Sequence, residues 1–214
     1  MRAKFTLQNN FGAYHYPVKL AIMHIFYFPV FAIMLCALLL SGCMGNVVNL
    51  SYPPLQEPLA AVTENGLTVC VVDFANKRET GPIGKRQNGE AILPRTPVER
   101  WLASGVAEEL RRAGYRVVMK ETLAEALATG SDYIVAGEAE EVRLMENSLT
   151  RFTGTIRSSI TLLDGRGGHI TRNAYSSVYS KAVLPIYGVP QTLLDDALAE
   201  MLQPAATLLV QKMR

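Results

Sequence analysis

Apolar residues recur along this chain in three rhythms. From Leu20 to Leu40 they form a nearly unbroken run, with Lys19 in front and Leu40-Ser41-Gly42-Cys43 behind. A positive start, an apolar core and a small-residue end make a secretory signal rather than a structural helix. Residues 67–74 are apolar and β-branched and predict a central strand. Val98, Trp101, Leu102, Val106, Leu110 and Ala113 then recur at helical spacing. Thr96 is expected to cap that helix, with Pro97 at its first position, Glu99 completing a capping box and Gly114 closing it. A strand over 115–119, a short helix over 122–128 and a strand over 133–144 follow.

Strict alternation marks 152–163 and 169–182 as a hairpin about the turn 164–168, which opens with Asp164-Gly165. Thr153, Thr155, Arg157, Ser159 and Thr161 share one face of its first strand, opposite Gly154, Ile156, Ser158, Ile160 and Leu162. In the second strand Tyr175, Ser177, Tyr179 and Lys181 share a face. A last helix is expected over 190–213, kinked or broken near 201–203 because Pro204 removes a backbone hydrogen bond.

This order predicts an α+β fold, a two-layer α/β sandwich. Its sheet would be mixed, mainly antiparallel, of four to five strands, with two main helices on one face. Three segments result: a signal peptide over 1–42, Cys43 and a flexible, proline-containing tether to residue 65, and one globular domain over 66–214. Residues 1–17 lengthen the start of the signal and are read as a mis-annotated start. Val18, which keeps Lys19, is favoured over Met23 as the true one. The alternative for the apolar run is an uncut membrane span, which needs roughly 20 residues.

Removing 1–42 takes away Arg2, Lys4 and Lys19 and no acid. Of 21 basic residues 18 remain against 19 acidic ones, a net charge of −1. That balance gives no electrostatic footprint for nucleic acid. Beyond Cys43 the remaining chain holds only Cys70, expected as a buried core residue, and one histidine, His169 beside a turn. No spacing resembles a metal site, a nucleophile elbow or a phosphate loop, so no catalytic residue, metal or cofactor is expected. Glu140-Glu141 and Asp195-Asp196 are read as structural, the latter in the first turns of a helix. Two features carry candidate binding residues. Lys77, Arg78, Lys85 and Arg86 lie in a glycine-rich stretch, 75–95, read as a long loop toward an anionic partner. Tyr175 and Tyr179, with Tyr187, would line a cleft if the domain took a small ligand.

The Leu40-Ser41-Gly42-Cys43 ending resembles the lipobox of bacterial lipoproteins. That resemblance implies cleavage before Cys43, a lipid held by a thioether on its sulfur, and a domain tethered to a membrane outside the cytoplasm. Further on, Val69 to Phe74 ending in Asp-Phe, Ile83-Gly84, Ala113-Gly114-Tyr115-Arg116-Val117 and Ser131-Asp132-Tyr133 through Glu138 resemble small YajG-type lipoproteins, over about residues 66–210. The implied protein is a non-enzymatic envelope module: an adaptor for another envelope protein, with a glycan or small-molecule binder as alternative. Met44 after Cys43, where a retention aspartate would stand, implies the periplasmic face of the outer membrane. The basic stretch and the Ser/Thr/Tyr hairpin are the expected contact surfaces.

Overall fold

The computed structural model describes residues 46–52, 66–79, 81–182, 190 and 192–213. The chain divides into two units, 1–44 and 45–214, and every described residue belongs to the second. The apolar run, Cys43 and Tyr187 lie outside the described residues.

One long strand organises the sheet. β7 (Tyr133–Ser148) pairs antiparallel with β8 (Arg151–Asp164), which pairs antiparallel with β9 (His169–Ala182). The β8–β9 turn is closed by Asp164, whose Oδ1 accepts the Arg166 and Gly168 amides at 2.9 and 2.7 Å. On its other edge β7 takes three shorter strands in succession, all parallel to it. These are β2 (Thr68–Val72), β3 (Ala75–Asn76) and β4 (Gly84–Lys85). β5 (Ala91–Pro94) turns back against β4, and β1 (Val47–Val48) lies parallel to β5. β6 (Arg116–Lys120) adds to the far side of β2 and completes a mixed, nine-stranded sheet.

Two helices cover one face, α1 (Val98–Arg112) and α3 (Leu193–Lys212). Between them and the sheet sits the main core, with Trp101, Leu110, Leu144, Phe152, Ile156, Ile160, Leu162 and Leu198 all buried. The short α2 (Leu123–Leu127) is capped by Thr122 and covers the opposite face at one end only, over Cys70, Val72, Ile134 and Leu163. The α+β sandwich therefore stands, but among the described residues its sheet has nine strands rather than four to five; five of them have five residues or more. A bulge between Ala139 and Glu141 inserts one residue into β7 and keeps both Ala139 and Val142 in the core.

Four local expectations give way. The stretch 75–95 is not an open loop. It carries β3, β4 and β5, pinned because Ile83 and Ile92 are buried in the core. Residues 46–52, read as part of the tether, belong to the domain: Val48 is fully buried and Leu50 nearly so. Thr96 does not cap α1; the helix starts after Pro97, whose carbonyl accepts the Trp101 amide at 3.0 Å. α3 runs through Pro204 without interruption. The ring of Pro204 sits on the exposed side while Met201, Leu202, Ala205 and Leu209 are buried, and that packing outweighs a cost of about 3 kcal/mol. Gly114, at φ +89°, closes α1 as expected.

Candidate functional site

Among the described residues, the face of β7, β8 and β9 turned away from α1 and α3 is left open. It follows from the alternation of β8, where Phe152, Gly154, Ile156, Ser158, Ile160 and Leu162 point inward and the residues between them point out. Arg172 binds Glu138 at 2.6 Å and the Ser159 hydroxyl at 3.1 Å. Glu141 bridges Arg143 at 3.3 Å and Arg157 at 3.4 Å. Thr153 and Ser180 share a hydrogen bond of 2.8 Å, and Asn147 donates to Thr153. Between these polar groups Met145 and Val178 stand 46% and 63% exposed.

The four basic candidates are not one cluster. Arg86 is a structural staple: its Nε meets Glu146 at 2.7 Å, and its guanidinium lies 5.9 Å from the centre of the Phe152 ring. Burial pushes the Glu146 carboxyl up, yet the bonds from Arg86 and from the Gln87 amide outweigh it and hold the group below its usual value. Arg78 folds back on Asn76, whose Oδ1 accepts both its amide and its Nε. Burial lowers the pKa of Arg78, and its Nη1 is enclosed without a hydrogen-bond partner. Lys77 and Lys85 are exposed. They sit well apart, Lys77 bonded through its amide to Ala139 and Lys85 beside Met145.

The two tyrosines share a face as expected, but it is the helix side of the edge strand. Tyr175 packs against the main core, and burial raises its pKa. Tyr179, opposite Gly154, is 38% exposed, and α3 begins over that glycine through Leu193 and Leu194. The hairpin's Ser/Thr face and its tyrosine face are thus separate surfaces. A shallow depression of about 440 Å³ runs along α3, lined by Gln203, Pro204, Thr207, Leu208 and Gln211; neither tyrosine lines it.

Two polar groupings escaped the sequence. Ser51 donates through its amide and hydroxyl to Asp195 at 3.2 and 3.4 Å. Burial raises that carboxyl to about 6 against the bonds from Ser51, and the enclosed Trp101 indole N–H approaches it without hydrogen-bond geometry. Tyr52 donates to Glu109, which also holds Arg112 at 2.6 Å. Together these bonds clasp residues 46–52 to α1 and α3. The second grouping lies at the carboxyl end of β2. Asp73 keeps one oxygen enclosed and unpartnered, and burial raises its pKa against the pull of Arg100. The Asp73-Phe74 ending was the only sequence signal for it. Among the described residues no group of three or more His, Cys, Asp or Glu could hold a metal, and no helix is long and apolar enough to cross a membrane.

The described residues form an α+β domain with one helix-covered sheet face and one open, charged face. No family model and no curated protein matches the chain. Among solved structures it resembles protein XCC0632 from Xanthomonas campestris, of family-model DUF330, at 15% identity and a TM-score of 0.50, covering 77% of this chain and 91% of that one. That likeness shows a shared fold. Fainter ones, on which nothing further rests, are to the PelC dodecamer from Paraburkholderia phytofirmans (18% identity, TM-score 0.42, 70% and 94% covered) and lipoprotein GNA1162 from Neisseria meningitidis (15%, 0.39, 66% and 99%).

Proposed function

We propose that this chain is a cell-envelope lipoprotein, anchored through Cys43 at the periplasmic face of the outer membrane, whose domain is a non-enzymatic adaptor for another envelope protein. The observation that carries the adaptor reading is the open face of β7–β9. It presents three arginines (Arg143, Arg157, Arg172), hydroxyl side chains and the exposed Val178, backed by a closed core. The lipobox-like ending supports the anchor.

The test is crosslinking of the intact protein in its native envelope, with mass spectrometry of the adducts and of the Cys43 peptide. The account expects a lipid mass on Cys43 and one dominant protein partner. Of the four basic candidates, Lys77→Glu probes the protein partner most cleanly, because Arg78 and Arg86 hold the fold. A second reading, a small-ligand binder, draws on the enclosed, unpartnered Asp73 Oδ1 and Arg78 Nη1. Only glycan or small-molecule adducts, with no protein, would favour it.

A further inference from the structure

The clasp fixes where the lipid can reach. Two residues, Met44 and Gly45, separate Cys43 from Asn46. Three residue steps span at most about 11 Å when fully extended. From Asn46 onward the chain is held. The Leu93 amide bonds the Asn46 carbonyl at 2.8 Å, the Arg95 amide bonds the Val48 carbonyl at 2.8 Å, and the Asn46 side chain bonds Glu90 at 2.6 Å. Val48 and Leu50 are buried, and Ser51 and Tyr52 are tied to Asp195 and Glu109. A lipid on Cys43 therefore has a leash much shorter than the sheet itself, since the 14 residues of β8 alone extend roughly 45 Å.

We propose that the β1–β5–β4 end of the sheet, with the β7–β8 turn, rests on the anionic phospholipid surface that holds the lipid; this depends on the anchor reading above. Strand alternation puts Val47, Leu93, Lys85 and Met145 on the outer face, because Val48, Ile92 and Leu144 are buried. Val47, Leu93 and Met145 are 44–46% exposed, and Leu149 at the turn is 68% exposed. Lys85 and the turn residue Arg151 are exposed and, among the described residues, in no ion pair with a carboxylate. Of the nearby carboxylates, Glu146 is paired with Arg86, while Glu90 accepts a hydrogen bond from Asn46 and keeps its charge against the two cations. Apolar side chains interleaved with free cations suit a headgroup interface, where the stems bury and the charges meet phosphate. Further along the face the charges pair internally, as Glu138–Arg172 and Glu141 with Arg143 and Arg157, and that part is left for the protein partner.

The experiment uses the full-length lipoprotein in vesicles of phosphatidylglycerol and phosphatidylethanolamine carrying quencher-labelled lipid. An environment-sensitive fluorophore is placed at Leu93→Cys, Met145→Cys or Leu149→Cys, and as a control at Arg166→Cys in the β8–β9 turn. Cys70 is fully buried and stays unlabelled. The first three are expected to be quenched roughly twofold and the control unchanged. Lys85→Glu with Arg151→Glu is expected to relieve the quenching while the lipid on Cys43 remains. Quenching no greater than at Arg166, in protein that carries the lipid and floats with the vesicles, would overturn the docking alone. Absence of lipid on Cys43 would overturn the anchor and the docking together.

Discussion

The two faces of one sheet differ by a single residue step. Leu144 and Met145 are neighbours in β7; the first is fully buried under the helices, the second 46% exposed on the open side. The inner face is mainly apolar, with Ser158 and Ser177 among its buried polar groups, and is closed by α1 and α3. The outer face is buried and apolar where α2 covers it, around Cys70, Val72 and Ile134; where nothing among the described elements does, Glu138, Glu141, Arg143 and Arg157 stand among a few exposed apolar side chains such as Met145 and Val178. The inner face makes the fold, and the uncovered part of the outer face is free to be selected for contact.

The largest expected effect tests that contrast directly. Leu144→Ala should cost about 2–5 kcal/mol by urea unfolding, whereas Met145→Ala should stay within about 0.5 kcal/mol. Similar costs at both positions would break the distinction.

The buried carboxyl on the inner side comes next. Asp195, raised to about 6 by burial against the bonds from Ser51, keeps a proton in the folded chain between about pH 4 and 6 that the unfolded chain has lost. Its contribution to stability therefore falls as pH rises through that window, by up to about 3 kcal/mol, and is flat above it. Asp195→Asn should flatten that part of a stability–pH profile; an unchanged slope would show that the group is not held as described.

A smaller loss is expected from Tyr52→Phe, about 1–2 kcal/mol, because Glu109 keeps Arg112 but loses the phenol. Thermal unfolding of the full chain reads it. A loss near zero would place residues 46–52 outside the cooperative unit.

The smallest stability effect belongs to the outer face. Arg143→Ala and Arg157→Ala remove exposed pairs to Glu141 and should each cost no more than about 0.5 kcal/mol, while weakening partner crosslinking. Stability loss without any change in capture would reverse the assignment of the two faces.

Much of this arrangement was legible in the chain. The hairpin of β8 and β9 and the inward face of α1 show clean periods of two and 3.6, and their burial follows those periods. What escaped was too short to have a period. β1, β3 and β4 are two residues each, and they form because β7 and β5 offer an edge, not because their own sequences demand a strand. Val48 and Leu50 were hidden in a polar stretch that reads as a tether. Asp195 had a sufficient explanation in the helix dipole, so its bond to Ser51, 144 positions away, left no local trace. The shared face of Tyr175 and Tyr179 was visible, but alternation alone does not say which side the helices will cover.

The most direct test of the account places a photo-crosslinking residue at Val178, 63% exposed on the outer face, or at Thr207, exposed on α3, in the lipoprotein in its native envelope. The account predicts one dominant protein adduct from Val178 and none from Thr207. The same adduct from both positions, or a protein adduct from Thr207 alone, would contradict the claim that the open sheet face is the working surface.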